Sequence, residues 1–328
     1  MKKILIIQTA FIGDVILGTS LIETLYEGYS TKVEIDVLVR KGNESLLSNH
    51  PKVSELHVWD KKKGKYKSLF ALIRKLKKTN YDFIYNLQRF GATGYLTWRL
   101  KGGLKVGFSK NPFAFSFDRK VVHEIGNGRH EIERNFDLVK ADLPKGAALL
   151  KPKLYPSVAD KKRVEEVLDG VQNYIVLAPA SVWFTKQLPQ HKWVELIRAK
   201  AEETNLLLIG APSDKEWIDQ LIVEAGVGQI KNLAGELSLL QSAALIEKAE
   251  RTFVNDSAPL HLASAMNAPV TAFFCSTVPS FGFTPLSDEV LIKETTVKLA
   301  CRPCGLHGFK ACPKKHFDCG NQIDVLSD

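Results

Sequence analysis

Four short stretches set polar residues into a chain that otherwise reads as apolar strand and helix, and each could do chemistry. QTAFIGD ends in Asp14, a lone carboxylate between the runs ILII and VIL. Such a group can take a proton from a hydroxyl as a general base. It can equally cap the helix that follows, a bond worth about 1 kcal/mol, and the two uses are compatible. Gly13 beside it is expected to let the backbone turn tightly toward a ligand. LAPASVWFTKQLP supplies Ser181 and Lys186 ahead of a helix. A hydroxyl and an ammonium near the N–H groups of a helix start suit a phosphate or diphosphate, although the common fate of a lysine is a solvated surface. IGAPSD ends in Asp214, which could accept from ribose hydroxyls or cap a helix. In VNDSAPLH, Asp256 and Ser257 open a helix whose first turn favours an anion. His261 follows one turn along, where a histidine is more often structural than catalytic. No serine or cysteine elbow accompanies that histidine, so a nucleophile pair is not indicated.

A fifth cluster lies near the C-terminus. Cys301-x2-Cys304-x7-Cys312-x6-Cys319 encloses His307 and His316. Thiolates at such spacings can hold a structural zinc. Reduced thiols in a loop and disulfides are the other two readings of the same pattern.

These residues need elements to hold them. KILIIQ, VEIDVLV and YDFIYNLQ read as buried strands, with DVILGTSLIETLYEGY and SLFALIRKLKKTN as helices. After residue 170 the alternation resumes, with strands YIVLAPA, LLLIGAP, RTFVND and PVTAFFC separated by helical patterns. Strand–helix alternation implies parallel sheets covered by helices. Two such runs predict two Rossmann-like domains, 1–165 and 166–328, joined in the proline-bearing stretch LPKGAALLKPKLYPSVADKK. Ligands of open parallel sheets bind beyond the carboxyl ends of the strands, where QTAFIGD, LAPASVWFTKQLP, IGAPSD and VNDSAP all fall. An ordinary dinucleotide fingerprint, G-x-G-x-x-G, is absent.

With 328 residues the chain can build two cores, and 45% hydrophobic with 25% charged residues is ordinary for a soluble globular protein. No apolar run reaches the ~18 residues that span a bilayer, and a cytoplasmic protein is expected. Charge is unevenly spread. Residues 1–170 hold 31 Lys and Arg against 19 Asp and Glu, a net +12, and residues 171–328 carry a net −3. The first half should meet something anionic. Nine Lys and Arg fall between Lys61 and Lys78, while Leu69, Leu72, Ile73 and Leu76 share a helix face. An anionic lipid surface or a phosphorylated ligand fits this better than nucleic acid, for which aromatic interleaving is thin.

The motifs TAFIGDVILGTSLI, PASVWFTKQLPQHKW, LAGELSLLQSAALI, VNDSAPLHLASA and APVTAFF, in this order, resemble glycosyltransferase family nine, the ADP-heptose:lipopolysaccharide heptosyltransferases. The C-terminal cysteine run is similar to the heptosyltransferase II branch. The resemblance implies a GT-B architecture: two Rossmann-like domains facing a cleft, the first for the acceptor and the second for the nucleotide sugar. It implies an inverting transfer of heptose from ADP-L-glycero-D-manno-heptose to the inner core of a lipopolysaccharide precursor, at the inner face of the inner membrane. Carried over by position, Asp14 is the base, and Ser181 and Lys186 hold the diphosphate. Asp214 faces the ribose and the backbone at Leu237 the adenine. Asp256, Ser257 and Ala258 contact heptose and phosphate, His261 supports them, and Gly13 and His130 lie on the acceptor side. No catalytic metal or other cofactor is implied, and no D-x-D pair is present to hold one. Ala258 stands where family members carry Gly. Two other readings share the pattern: a transferase for another nucleotide sugar or glycan acceptor, and a non-catalytic relative that binds anionic glycolipid.

Overall fold

Runs of Ile, Leu and Val bounded by turns become the strands of two parallel sheets. The computed structural model describes residues 1–29, 31–228 and 230–327, with Lys65 by its backbone alone. The chain separates into one unit of Met1–Ile125 with Arg129–Tyr155 and a second of Gly126–Gly128 with Pro156–Asp328. The division falls inside the expected proline-bearing stretch but ahead of the expected 165/166 joint, which would cut the helix Val158–Leu168. That helix begins at Ser157, whose hydroxyl accepts from Asp160 N at 3.1 Å. A capped helix is a unit of folding, and the extended residues before it make the natural joint.

The first unit contains β1 (Lys2–Ile7), α1 (Ile12–Gly28), β2 (Val33–Arg40), β3 (Glu55–Trp59), α2 (Lys65–Leu76), β4 (Phe83–Asn86), α3 (Gly91–Arg99), β5 (Leu104–Phe108), β6 (Arg119–Val121) and α4 (Glu131–Phe136). Its strand order is β3-β2-β1-β4-β5-β6, every pair parallel. The second contains α5 (Val158–Leu168), β7 (Tyr174–Ala178), α6 (Gln190–Ala201), β8 (Asn205–Leu208), α7 (Lys215–Ala225), β9 (Ile230–Asn232), α8 (Leu239–Glu247), β10 (Thr252–Asn255), α9 (Ala258–Met266), β11 (Val270–Phe274), β12 (Val290–Glu294) and α10 (Asp318–Asn321). Its order, β12-β11-β10-β7-β8-β9, repeats the same topology. Each sheet reverses its winding once, between β1 and β4 and between β7 and β10. A reversal opens a crevice at the carboxyl ends of the two central strands, where such folds take ligands.

Each unit has its own core. Leu5, Ile7, Leu38, Trp59, Ile84 and Leu96 anchor the first. Trp193, packed edge-on against Phe273 at 5.4 Å between ring centroids, anchors the second. Helix α1 is buried from Val15 to Leu25, apolar and polar residues alike. A helix covered on several sides needs partners for its polar groups, and the segment returning at residues 150–155 provides them. Lys153 N donates to Thr19 Oγ1 at 2.9 Å, Leu150 N to Thr24 Oγ1 at 3.0 Å, and Ser20 Oγ donates to Leu150 O. Glu23 accepts from Lys52 Nζ at 2.8 Å and Tyr155 OH at 2.9 Å, with His50 Nε2 at 3.3 Å. Burial alone would raise the Glu23 carboxyl, but the bonds from His50, Lys52 and Tyr155 more than offset it and hold the group at about 2.

The sign of that shift sets a stability test. Glu23 is ionised above its unfolded value, so its contribution is full near neutrality and is lost as pH falls from about 4.5 toward about 2. Glu23→Gln should lower the unfolding free energy at pH 7 by up to about 3 kcal/mol and flatten the acid limb across that window. Urea titrations at stepped pH values measure both.

Candidate active site

The loops after β7 and β10 bring together one lysine and one aspartate. After β7 the chain crosses Ser181 and enters a 3-10 turn, Phe184–Lys186. After β10 it reaches Asp256, which is 6% exposed. Lys186 Nζ lies 2.8 Å from Asp256 Oδ2, and Thr277 Oγ1 donates to the same oxygen at 2.7 Å. Desolvating two opposite charges costs several kcal/mol before their attraction returns it, so a buried pair is weak as a stability device. It does hold an ammonium ready beside the start of α9. Ser257 precedes that helix without capping it, since its hydroxyl turns back toward Asn255 O at 3.4 Å. Ala258 and Pro259 begin α9 and His261 is buried one turn along.

Asn255, which the sequence reading passed over, ties the two loops together. Fully buried, it donates to Pro179 O at 2.7 Å and accepts from Leu188 N at 2.8 Å. Ser181 N donates to Gln187 Oε1 at 3.3 Å within the same loop. Asp214 and Leu237 stand on the loops after β8 and β9. Ala211 N donates to Asp214 Oδ2 at 2.8 Å, so this carboxylate closes its own turn ahead of α7. Gly235 N bonds Gly210 O at 3.0 Å, and a Cβ at Gly235 would stand 2.9 Å from Pro212 Cα. Glycine there, at φ +79, lets Leu237's loop close on Asp214's.

The cysteine-bearing segment braces the Lys186 turn. Phe309 N donates to Thr185 Oγ1 at 2.7 Å, Thr185 N to Phe309 O at 3.1 Å, and Ser276 Oγ to Thr185 Oγ1 at 3.0 Å. Arg302 donates to the carbonyls of Phe274, Cys275 and Thr277 and to Glu294. Phe317 packs on Phe184 with centroids 5.2 Å apart. All five cysteines are free thiols. Cys301 Sγ lies 3.7 Å from His316 Nε2, and Cys304 Sγ donates to Cys301 O at 3.2 Å. Among the described residues the trio with ligand atoms mutually within 4.8 Å is Asp36, Glu55 and His57, not a set of cysteines. No three sulfurs of Cys301, Cys304, Cys312 and Cys319, where zinc is one of three readings, fall within that mutual distance, and hydrogen bonds and packing fix the segment. A further cavity of about 690 Å³ is lined by Arg251, Thr271 and Lys293. It opens at the amino ends of the second sheet's strands, away from this loop cluster.

In the first unit Asp14 follows β1, at the reversal. It is the third residue of α1 rather than the residue before it, and accepts from Phe11 N at 3.2 Å. Gly13 departs from expectation: it lies in the first helical turn, without the left-handed backbone that a tight turn would need. Its remaining contribution is a missing side chain beside Asp14. Burial among packed atoms is the largest influence on the Asp14 carboxyl, and the Glu131 charge adds to it. The N–H groups of Phe11 and Asp14 and the Arg89 guanidinium oppose them, and the group comes to about 6. Glu131 is itself compensated. His123 Nε2 lies 3.1 Å and Arg134 Nε 2.8 Å from its Oε2. Burial disfavours its charge, but these partners hold it below the usual carboxylate range. His130 caps α4, its Nδ1 accepting from Ile132 N at 3.3 Å. Cations stand around the same loop: Lys61 Nζ is 3.4 Å from Thr9 O, and the Arg40 guanidinium sits 4.7 Å from the Phe11 ring centroid.

Residues 69–305 match the family model Glycosyltransferase family 9 (heptosyltransferase). Lipopolysaccharide heptosyltransferase 3 of Escherichia coli is 29% identical over 296 residues, covering 86% of this chain and 85% of that protein. Among solved structures, E. coli ADP-heptose lps heptosyltransferase II superposes with a TM-score of 0.78 at 23% identity, over 98% of both chains. E. coli heptosyltransferase WaaC with ADP superposes at 0.73 and 21% identity, over 88% of this chain and 92% of that one. The two Rossmann-like parallel-sheet units are those of the GT-B fold, and the chain belongs to glycosyltransferase family 9, the heptosyltransferases of lipopolysaccharide core synthesis.

Proposed function

We propose that this glycosyltransferase moves heptose from ADP-L-glycero-D-manno-heptose to a hydroxyl of the inner core of a lipopolysaccharide precursor, on the cytoplasmic side, with inversion at the anomeric carbon. The observation that carries the reading is the Lys186–Asp256 pair at the β7/β10 reversal, beside the uncapped start of α9. An incoming diphosphate offers Lys186 a second anionic partner, and N–H groups at the helix start add to it. Ser181 joins Lys186 on the diphosphate. Asp214, already closing its turn through one oxygen, turns the other to the ribose, and the backbone at Leu237 lies against adenine. Asp256, with Ser257 and Ala258, meets the heptose and its phosphate, and His261 supports them from within α9. ADP, held by the structural neighbour WaaC, is the donor handle this arrangement suits.

The first unit supplies the acceptor side, and its excess of Lys and Arg, including Lys61, Arg40 and Arg89 near the Asp14 loop, suits a phosphorylated core saccharide. Gly13 leaves room at Asp14, and His130 holds the helix that presents Glu131. In the reaction the acceptor oxygen bonds to the anomeric carbon as the bond from that carbon to the ADP oxygen breaks. Asp14 takes the acceptor's proton, and Lys186 stabilises the charge appearing on ADP. A single displacement of this kind inverts the centre.

Asp14→Asn is a sharp test because asparagine keeps an oxygen for Phe11 N but loses the base. Transfer to a heptose-deficient lipopolysaccharide, followed as ADP release, should fall roughly 10²-fold or more with folding unchanged; near-normal turnover would reduce Asp14 to a helix cap. Lys186→Ala should weaken ADP binding by calorimetry and lower turnover as well, and unchanged values of both would remove the donor assignment.

The base must be ionised to work, so turnover should rise with pH through about 6. Removing the neighbouring negative charge makes Asp14 easier to ionise, and Glu131→Gln should move this acid limb to lower pH. A pH–rate profile of a variant with native circular dichroism decides the point, and an unmoved limb would separate Glu131 from the base.

A further inference from the structure

The first unit carries an exposed sheet of aromatic rings that the transfer chemistry does not use. Phe70 on α2 meets Tyr95 on α3 edge-on at 6.2 Å, and Tyr95 meets Trp98 at 5.8 Å and Phe113 at 5.7 Å. Trp98 stacks on Phe113 at 6.0 Å, and Phe115 closes the group at 5.8 Å from Phe113 and 6.4 Å from Trp98. Phe70 is 51%, Trp98 42% and Phe115 68% exposed, with Tyr66 at 68% one turn before Phe70 on the same helix. Single exposed rings are ordinary, whereas a contiguous set marks an interaction surface. The buried stripe of Leu69, Leu72, Ile73 and Leu76 already seats α2 on its sheet and Tyr95 packs against that core from α3, so Phe70, Trp98, Phe113 and Phe115 are surplus to it.

Charge says what should cover them. From Asp60 to Asp118 the chain has 14 Lys and Arg against three acids, each engaged: Asp60 by Lys41 Nζ at 3.3 Å, Asp82 by Lys3 N at 2.7 Å and Asp118 by Lys105 N at 2.8 Å. Lys67 and Arg74 flank Phe70 at helical spacing, and both are exposed. Arg99 lies 5.7 Å from the Trp98 ring centroid, and Lys101 and Lys110 are exposed nearby in sequence. Rings that sit at the level of lipid headgroups, rimmed by a large excess of cations, complement an anionic bilayer. A second copy of this surface would oppose cation to cation. No helix among the described residues is long and apolar enough to cross a membrane, so attachment would be peripheral.

We infer that the Phe70–Tyr95–Trp98–Phe113–Phe115 face docks the enzyme on the anionic lipid surface that displays its acceptor. The inference rests on the acceptor being lipid-anchored, and its test is arranged to stand apart from that reading. The full chain is sedimented with vesicles of phosphatidylethanolamine and phosphatidylglycerol that contain no acceptor, and with vesicles of phosphatidylcholine alone. Binding to the anionic vesicles, weakened by salt, is expected. Phe70→Ser with Phe115→Ser should lower it roughly tenfold or more, and Lys67→Glu with Lys101→Glu and Lys110→Glu should do likewise. Transfer to a deacylated, soluble core saccharide should be unchanged in the ring variant, while transfer to vesicle-borne acceptor falls. Three results would overturn the inference: no vesicle binding by the parent chain, equal binding by the ring variant, or a parent dimer that the ring variant splits with vesicle binding intact. Failure of heptose transfer with vesicle binding preserved would instead count against the proposed reaction.

Discussion

A carboxylate keeps its proton toward neutral pH where packing strips part of its water and no cation fully answers its charge. One corner of the first unit distributes two carboxylates by that rule. Glu131 is buried yet ionised, because His123 and Arg134 bond it directly. Asp14, half-buried, is raised by desolvation and the neighbouring Glu131 charge, which the N–H groups of Phe11 and Asp14 and the Arg89 guanidinium only partly offset, and it comes to about 6. The difference comes from their partners: one group is a fixed charge, and the other is the proposed proton acceptor. The arrangement depends on α1 being held in place, which is the work of Thr19, Ser20, Glu23 and Thr24 against residues 150–155.

The second unit solves the complementary problem of keeping a cation in a partly buried position. Lys186 is anchored by Asp256, Asp256 by Thr277, and the Lys186 turn by Thr185, which is bonded from both Phe309 and Ser276. The C-terminal segment therefore holds the Lys186 loop through backbone bonds and aromatic packing. Gly308, at φ +77, belongs to this contact: a Cβ there would crowd Lys186 and Thr185 at 3.0 Å.

Much of this was legible in the amino-acid order. Central strands such as KILIIQ and YIVLAPA have apolar, buried middles because both faces are covered, and their loops announced the site by small, hydroxyl and charged residues. The edge strands β3, β6, β9 and β12 were not foreseen, since ELHVW, RKV, IKN and VLIKE mix polar with apolar residues and owe their form to a neighbour already in place. Asn255 and Glu131 were missed for a related reason: their importance lies in partners far along or buried beside them, and neither has a local signature. Gly13 misled because a glycine beside a loop suggests a turn, while here it continues a helix. The cysteine spacing left three readings open because ligand spacing along a chain does not fix distances between sulfurs. The aromatic face was hidden by sequence separation, with Phe70, Tyr95 and Phe115 brought together only when α2, α3 and the loop before β6 pack.

The claim on which the rest depends is a single displacement assisted by one carboxylate, and stereochemistry tests it most directly. The product formed from ADP-L-glycero-D-manno-heptose and a heptose-deficient lipopolysaccharide can be examined by NMR at its new anomeric centre. An inverted configuration relative to the donor is the expected result. A retained configuration, which one back-side displacement cannot give, or an inverted product formed at full rate by Asp14→Asn, would contradict it.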